Sequence, residues 1–237
     1  MKPILVLDAY LDDLGGARNL EPRLGGRAAE VARVARTGTA PIDATSYAGI
    51  LITGSSASLL EPPVWVQSAA ELMRSAAAND VPVLGLCFGH QLLAHALLGP
   101  DRVVLAEVPE LGFVEIERRG GALDPILEGF DRRFTAFESH RDEVRPRGDE
   151  VEILAANAAC AVQAFRIPGQ PLWGVQFHPE MGQDEIRALI RQRAAQDTSG
   201  RFDADGLLAA AVDTDALGDR IVANFLEQVD ARASANR

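Results

Sequence analysis

One of the two cysteines in this chain stands in a frame suited to nucleophilic chemistry. Cys87 lies in Val83-Leu84-Gly85-Leu86-Cys87-Phe88-Gly89-His90-Gln91-Leu92-Leu93-Ala94, where a short apolar run meets a helical pattern. Gly85 and Gly89, two residues to either side, remove side chains where a strand turning sharply into a helix is tightest. A cysteine at such an elbow occupies the first turn of the helix, where the macrodipole and free backbone N–H groups favour thiolate over thiol. The N–H of Phe88 would then face the oxygen of an attacked carbonyl as an oxyanion donor. Cysteines in general are more often small buried residues. Cys160, in Ala158-Ala159-Cys160-Ala161-Val162, has no glycine frame and is read that way.

A thiolate that attacks an amide needs a partner to return a proton to the leaving amine. Leu172-Trp173-Gly174-Val175-Gln176-Phe177-His178-Pro179-Glu180 ends a strand pattern with a histidine and a carboxylate two residues apart. Histidine suits the proton transfer because its pKa lies near neutrality. Glu180 would orient and stabilise the imidazolium, and Pro179 restricts the turn between them. A His-Pro-Glu tripeptide alone is turn chemistry; with the elbow it becomes specific. Metal binding is the rival reading, but His178 and Glu180 lack the His-Glu-x-x-His spacing. His90 and His95 are five apart, off one helix face, so neither metal nor cofactor is expected.

The elements that must position these groups follow from the hydrophobic pattern. Ile4 to Leu7, Gly49 to Ile52 and Val81 to Leu86 are short continuous apolar runs, with a helical Pro63 to Ala78 between the last two. That alternation indicates a parallel sheet covered on both faces, hence an α/β fold. From about Arg102 the pattern changes to closely spaced strands at Val103 to Ala106, Gly112 to Ile116, Arg133 to Glu138, Val151 to Ala156, Cys160 to Ile167 and Leu172 to Phe177. These read as antiparallel additions. Helices are expected over Asp184 to Gln196 and from Asp205 or Asp215 to Val229, joined by the turn signal Asp197-Thr198-Ser199-Gly200. Asp12 to Gly26 and Arg118 to Pro125 read as irregular, Arg141 to Arg147 as a solvated loop, and Ala231 to Arg237 as a fraying end.

Composition sets outer bounds. The 237 residues, 47% apolar, suffice for one domain over 1–237, with a core to about 182 and a helical extension over about 183–232. A formal charge of −11 with no basic stripe argues against nucleic acid and acidic membrane surfaces as partners. The N-terminal apolar run is too short for a signal peptide, and the cysteines are expected to be reduced in a cytoplasmic protein.

Gly85-Leu86-Cys87-Phe88-Gly89-His90-Gln91, together with Gly174-Val175-Gln176-Phe177-His178-Pro179-Glu180, closely resembles the two signatures of class I glutamine amidotransferase domains. The branch containing the glutaminase part of GMP synthetase is the most similar. The resemblance implies a three-layer α/β fold, a mainly parallel central sheet flanked by helices with added antiparallel strands. It also implies that Cys87, His178 and Glu180 hydrolyse the side-chain amide of glutamine through a cysteinyl thioester. Ile52-Thr53-Gly54-Ser55-Ser56-Ala57-Ser58 resembles the family's glycine loop, so Gly54 and Ser55 inherit the second backbone oxyanion donor. It is not a nucleotide P-loop, for no lysine follows in frame. Gln91 matches a substrate-contacting glutamine, and Ser139-His140-Arg141-Asp142 resembles a Ser-His-Gly-Asp segment lining the glutamine pocket, with Ser139 and His140 as substrate-binding residues. Arg141 replaces the usual small residue there. The segments Tyr10 to Gly26 and Gln183 to Val212 have no counterpart in the minimal domain.

Two enzymatic readings share this chemistry. One is a glutaminase passing ammonia to a synthetase partner, whose phosphate loop is absent from this sequence. The other is a free-standing γ-glutamyl hydrolase or peptidase with the same triad. A catalytically silent ligand- or protein-binding relative is a third reading, opposed by the intact triad. A fourth is the stress-protein and peptidase group that shares the elbow, without the Phe-His-Pro-Glu strand end.

Overall fold

The structure is a computed structural model and describes residues 2–11, 16–119, 124–198, 200 and 202–235. In chain order its first half contains β1 (Ile4–Leu7), α1 (Ala17–Leu20), β2 (Ala29–Ala32), α2 (Val34–Thr37), β3 (Gly49–Ile52), α3 (Val66–Ala78), β4 (Val83–Leu86) and α4 (Phe88–Leu98). The second half contains β5 (Val103–Arg118), β6 (Arg133–Val144), β7 (Glu152–Ala156), β8 (Ala164–Arg166), β9 (Leu172–Val175), α5 (Gln183–Gln196), α6 (Ala204–Ala209) and α7 (Asp215–Ala235). Nine strands form one sheet in the order β2-β1-β3-β4-β9-β8-β7-β5-β6. The pairings from β2 to β9 are parallel and those from β9 to β6 antiparallel, so the expected parallel core and its antiparallel additions contribute equally.

Alternate residues of the parallel strands feed two cores because successive side chains point to opposite faces. Leu5, Leu7, Ile50, Ile52 and Val83 pack with α3 and α4. Ile4, Val6, Leu51, Leu84 and Leu86 pack with α7 through Ile221, Val222, Phe225 and Val229. Gly49 lets α7 approach β3, since a Cβ there would lie 2.6 Å from the Val229 side chain. A third, smaller core joins Leu111 and Phe137 of β5 and β6 to Ile186, Leu189 and Ile190 of α5, with Leu207 and Leu208 of α6 alongside.

Several expectations need correction. Val103 to Ala106 and Gly112 to Ile116 belong to one strand, because a register shift between Leu105 and Glu110 absorbs the irregular residues. The loop expected from Arg141 is the end of β6 as far as Val144, paired with β5. The strand expected over Cys160 to Ile167 shortens to β8, since the Asn157 side chain accepts from the N–H groups of Ala159 and Cys160 and turns the chain. Asp12 to Gly26 contains α1 and a 3-10 turn at Glu21–Leu24, anchored by Leu20 and Leu24 in the core; residues 12–15 lie outside the described residues. Of the irregular stretch expected over 118–125, residues 120–123 lie outside them, as does Ser199 of the expected turn. The fraying end is helical to Ala235, tied by Arg232 to Asp80 at 2.7 Å; residues 236 and 237 are not described.

The elbow depends on backbone packing. A Cβ on Gly85 would lie 2.3 Å from the Gly89 carbonyl oxygen, and one on Gly89 would lie 2.7 Å from the Ile52 carbonyl oxygen. Neither obstacle can rotate away. Gly85→Ala is therefore expected to lower the unfolding free energy by about 1–3 kcal/mol, the usual cost of overpacking. A urea midpoint equal to that of the unsubstituted chain would contradict this packing.

Candidate active site

Strand β4 delivers Cys87 to the C-terminal edge of the parallel strands, where α4 begins at the next residue. Cys87 has φ +48° and ψ −100°, a backbone conformation that costs an L-residue on the order of 1–3 kcal/mol. Its N–H donates to the Val175 carbonyl at 2.8 Å, and its own carbonyl accepts from the Gln91 N–H at 3.1 Å. The surrounding structure holds the strained residue in place. Phe88, as the first residue of α4, has an N–H with no acceptor within the helix.

Strand β9 runs beside β4 and carries the chain to the same edge. The Gln176 N–H donates to Gln163 at 2.8 Å and the His178 N–H to Phe137 at 2.9 Å, pinning the strand end to the antiparallel half. His178 Nδ1 is 3.0 Å from Glu180 Oε1. The Tyr10 hydroxyl donates to that same oxygen at 3.1 Å. Gln176 Nε2 approaches Cys87 Sγ at 3.5 Å, and the Ser139 carbonyl lies 4.0 Å from the sulfur. The structure thus brings Cys87, His178 and Glu180 together, all buried. Gly54 is where the loop after β3 comes against them: a Cβ there would meet Tyr10 Oη at 2.5 Å and His178 Cε1 at 2.9 Å.

Electrostatics reinforce the grouping. Burial alone would favour neutral His178, but charge and hydrogen bonding from Cys87 and Glu180 outweigh it and hold the imidazole well above the ordinary histidine range. Burial likewise pushes Glu180 up, yet the imidazolium and the Tyr10 hydroxyl bring it below the usual carboxylate value. Glu138, fully buried nearby, is pushed far up by desolvation first and then by Glu110, with Cys87 and Glu180 adding in the same sense. His90 is drawn down to about 3 by burial, and its ring packs 4.7 Å from Phe165.

Of the expected substrate-binding residues, Gln91, Ser139 and His140 all line a cleft of about 380 Å³ that also contains Cys87 and Ser55. Gln91 is already engaged, with Nε2 donating to the Asp142 carbonyl at 2.7 Å and to Gln176 Oε1 at 3.2 Å. His140 spends both ring nitrogens, one 3.1 Å from the Asp142 carbonyl and the other 2.9 Å from Glu110. Glu110, His140 and Cys160 have potential ligand atoms within 4.8 Å of one another. However, bonds of about 2.0–2.2 Å to one tetrahedral ion would hold His and Glu atoms roughly 3.4 Å apart. The 2.9 Å contact is a hydrogen bond, and Glu110 also accepts from Gln163 and Asn157 at 2.8 and 2.7 Å. Burial pushes the Cys160 thiol up, away from reactivity.

Residues 10–194 match the glutamine amidotransferase class-I family. The chain belongs to that family. Among relatives similar to this class I chain is a GMP synthase (glutamine-hydrolyzing) subunit of Methanothermobacter thermautotrophicus, 38% identical over 102 residues, which are 43% of this chain and 53% of that protein. The chain thus spans about half the length of that curated relative. A glutamine amidotransferase from Thermotoga maritima superposes with a TM-score of 0.79 at 18% identity, covering 96% of this chain and 97% of that one. A glutamine amido transferase from Methylobacillus flagellatus superposes at 0.78 and 22% identity, covering 96% and 95%. Both share the fold of the class I chain.

Sequence reasoning missed Tyr10, Gln176, Glu138 and Glu110. Tyr10 follows the end of β1 at the edge that bears Cys87, and ligands gather at the carboxyl ends of parallel strands; that position was the available signal. Glu138 and Glu110 meet only through β5–β6 register, which no local pattern encodes. If the Cys87 sulfur sustains the charge on His178, Cys87→Ala must lower the His178 titration midpoint, because burial then acts against less opposition. Histidine-selective NMR across a pH series is expected to show that fall, and an unmoved midpoint would contradict the coupling.

Proposed function

We propose that this class I chain hydrolyses γ-carboxamides of glutamate, with glutamine as the simplest substrate. The supporting observation is the buried Cys87–His178–Glu180 grouping on a strained elbow at the sheet edge. In this reading the Cys87 thiolate attacks the γ-carbonyl carbon, forming a C–S bond. Electron density moves onto the carbonyl oxygen, which the N–H groups of Phe88 and of Gly54 or Ser55 receive. The C–N bond then breaks, and the His178 imidazolium gives its proton to the departing amine. Neutral His178 next takes a proton from water, whose oxygen attacks the thioester; glutamate leaves and the thiolate returns.

Glu180 keeps the imidazole oriented and its charge compensated, and Tyr10 fixes the carboxylate oxygen that does so. When glutamine is the substrate the leaving amine is ammonia. Relatives named as glutamine-hydrolyzing GMP synthase subunits support a synthetase partner that would consume it. No helix among the described residues is long and apolar enough to cross a membrane.

Release of glutamate from glutamine by the purified chain tests the reading. Cys87→Ala should abolish release, whereas Cys160→Ala should leave it nearly unchanged; the opposite pattern would overturn the assignment. His178→Asn should cost at least about 10²-fold, the scale of lost general acid–base catalysis. Glu180→Gln, which preserves shape and removes charge, should cost less than His178→Asn in the same assay.

A further inference from the structure

The turn from His178 to Glu180 is held from behind by a segment more than 150 residues earlier in the sequence. That segment is the 3-10 turn Glu21–Leu24, in which Pro22 restricts the backbone while Leu20 and Leu24 are sunk in the core on either side. Arg23 therefore projects from a fixed base. Its side chain is only 13% exposed, and its Nη1 donates to the Pro179 carbonyl at 2.7 Å.

The rest of the guanidinium is committed to α7. Its Nε donates to Asp219 at 2.9 Å and its Nη2 meets Asp215 at 3.5 Å, both carboxylates being more than half exposed. Ion pairs so open to water add little stability, but they set the plane of a rigid fork of donors. The remaining arm of that fork is the one on Pro179. Gly218 in the first turn of α7 makes the approach possible, since a Cβ there would lie 2.2 Å from the Pro179 carbonyl oxygen and 3.0 Å from Arg23 Cζ.

Proline lacks an N–H, so its carbonyl is the one backbone polar group by which Pro179 is held. That carbonyl and the Glu180 N–H belong to a single planar trans peptide and point in opposite directions. Holding the oxygen therefore sets the direction in which Glu180 leaves the turn. Burial pushes the Glu180 carboxyl up, and against it act His178, the N–H of Glu180 itself and the Tyr10 hydroxyl. The peptide unit thus offers its oxygen to a cation and its hydrogen to the carboxylate that supports the imidazole. A cation at the oxygen polarises the unit and strengthens the N–H as a donor.

We propose that Arg23 is a positioning residue for the Cys87–His178–Glu180 grouping, acting through the peptide unit that joins Pro179 to Glu180. The inference rests on the γ-carboxamide chemistry proposed above. Without the guanidinium this peptide tilts, the carboxylate loses its 3.0 Å approach to His178 Nδ1, and the imidazolium is less favoured. Substrate contacts are left alone, because Arg23 lies outside the cleft that contains Cys87, Gln91 and Ser139. The titratable groups that act on His178 are Cys87, Glu180, Tyr10 and Glu138, and none of them is altered by a substitution at Arg23.

Two measurements on the full chain carrying Arg23→Met separate positioning from folding. Histidine-selective NMR over a pH series is expected to show the His178 titration midpoint falling, because a displaced carboxylate supports the imidazolium less. Glutamate release from glutamine is expected to lose about tenfold to a hundredfold in kcat, the scale of a small misplacement of a reacting group, with KM unchanged. An unmoved midpoint in the folded variant, or an active chain whose kcat ignores the substitution, would overturn the inference. A KM raised as far as kcat is lowered would also overturn it, since the effect would then lie in the cleft. If Arg23→Met does not fold, Arg23→Gln is read in its place by the same measurements. Failure of both to fold would assign Arg23 to folding alone and sink the proposal. The midpoint is read without turnover, so an inactive unsubstituted chain whose midpoint still falls on Arg23→Met would end the catalytic reading and leave the positioning standing.

Discussion

The geometry of the edge that carries Cys87 depends on the contact between β4 and the first turn of α4, where Gly85 meets the Gly89 carbonyl and Gly89 meets Ile52 of the neighbouring strand. These backbone approaches leave no room for a relaxed connection, so the chain turns through Cys87 at φ +48°. The strain is held by two hydrogen bonds, to Val175 and from Gln91, and by cores on both faces of the sheet. Strain at one residue persists only when the surroundings over-determine it. Here they do so with buried strands on each side of β4.

From that fixed point the electrostatics become intelligible. A cysteine sulfur, an imidazole and a carboxylate are buried within one small region, an arrangement that desolvation opposes unless the charges compensate one another. Glu180 does so for His178, and Tyr10 does so for Glu180. Glu138 contributes differently. Burial, and after it the neighbouring Glu110, push its carboxyl well above the usual range against the opposing charge of His178, which disfavours a further negative charge beside the sulfur.

The cysteine elbow and the strand-end His-Pro-Glu were legible because each lies within a few contiguous residues and their types are matched to a task. The parallel strands were legible for a related reason: a strand buried on both faces is written as an uninterrupted apolar run. β2 was not, because Ala29-Glu30-Val31-Ala32 is a partly exposed edge with a charge in the middle. The joining of two expected strands into β5 depends on a bulge opposite β6, and a register shift leaves no periodic trace.

The two halves of the sheet meet between β9 and β8, and the His178 strand end is pinned across that seam to Phe137. Cys87 and His178 are 91 positions apart in sequence, so no local segment contains both. Contacts between distant segments are made late in folding because closing the intervening loop costs entropy before any contact repays it. The proposed reactivity is thus conditional on assembly. A nascent or partly opened chain carries the cysteine without its imidazole partner, and so without the grouping that the proposed chemistry requires. Dividing the proposed catalytic group between remote parts of the chain ties its chemistry to the completed tertiary structure.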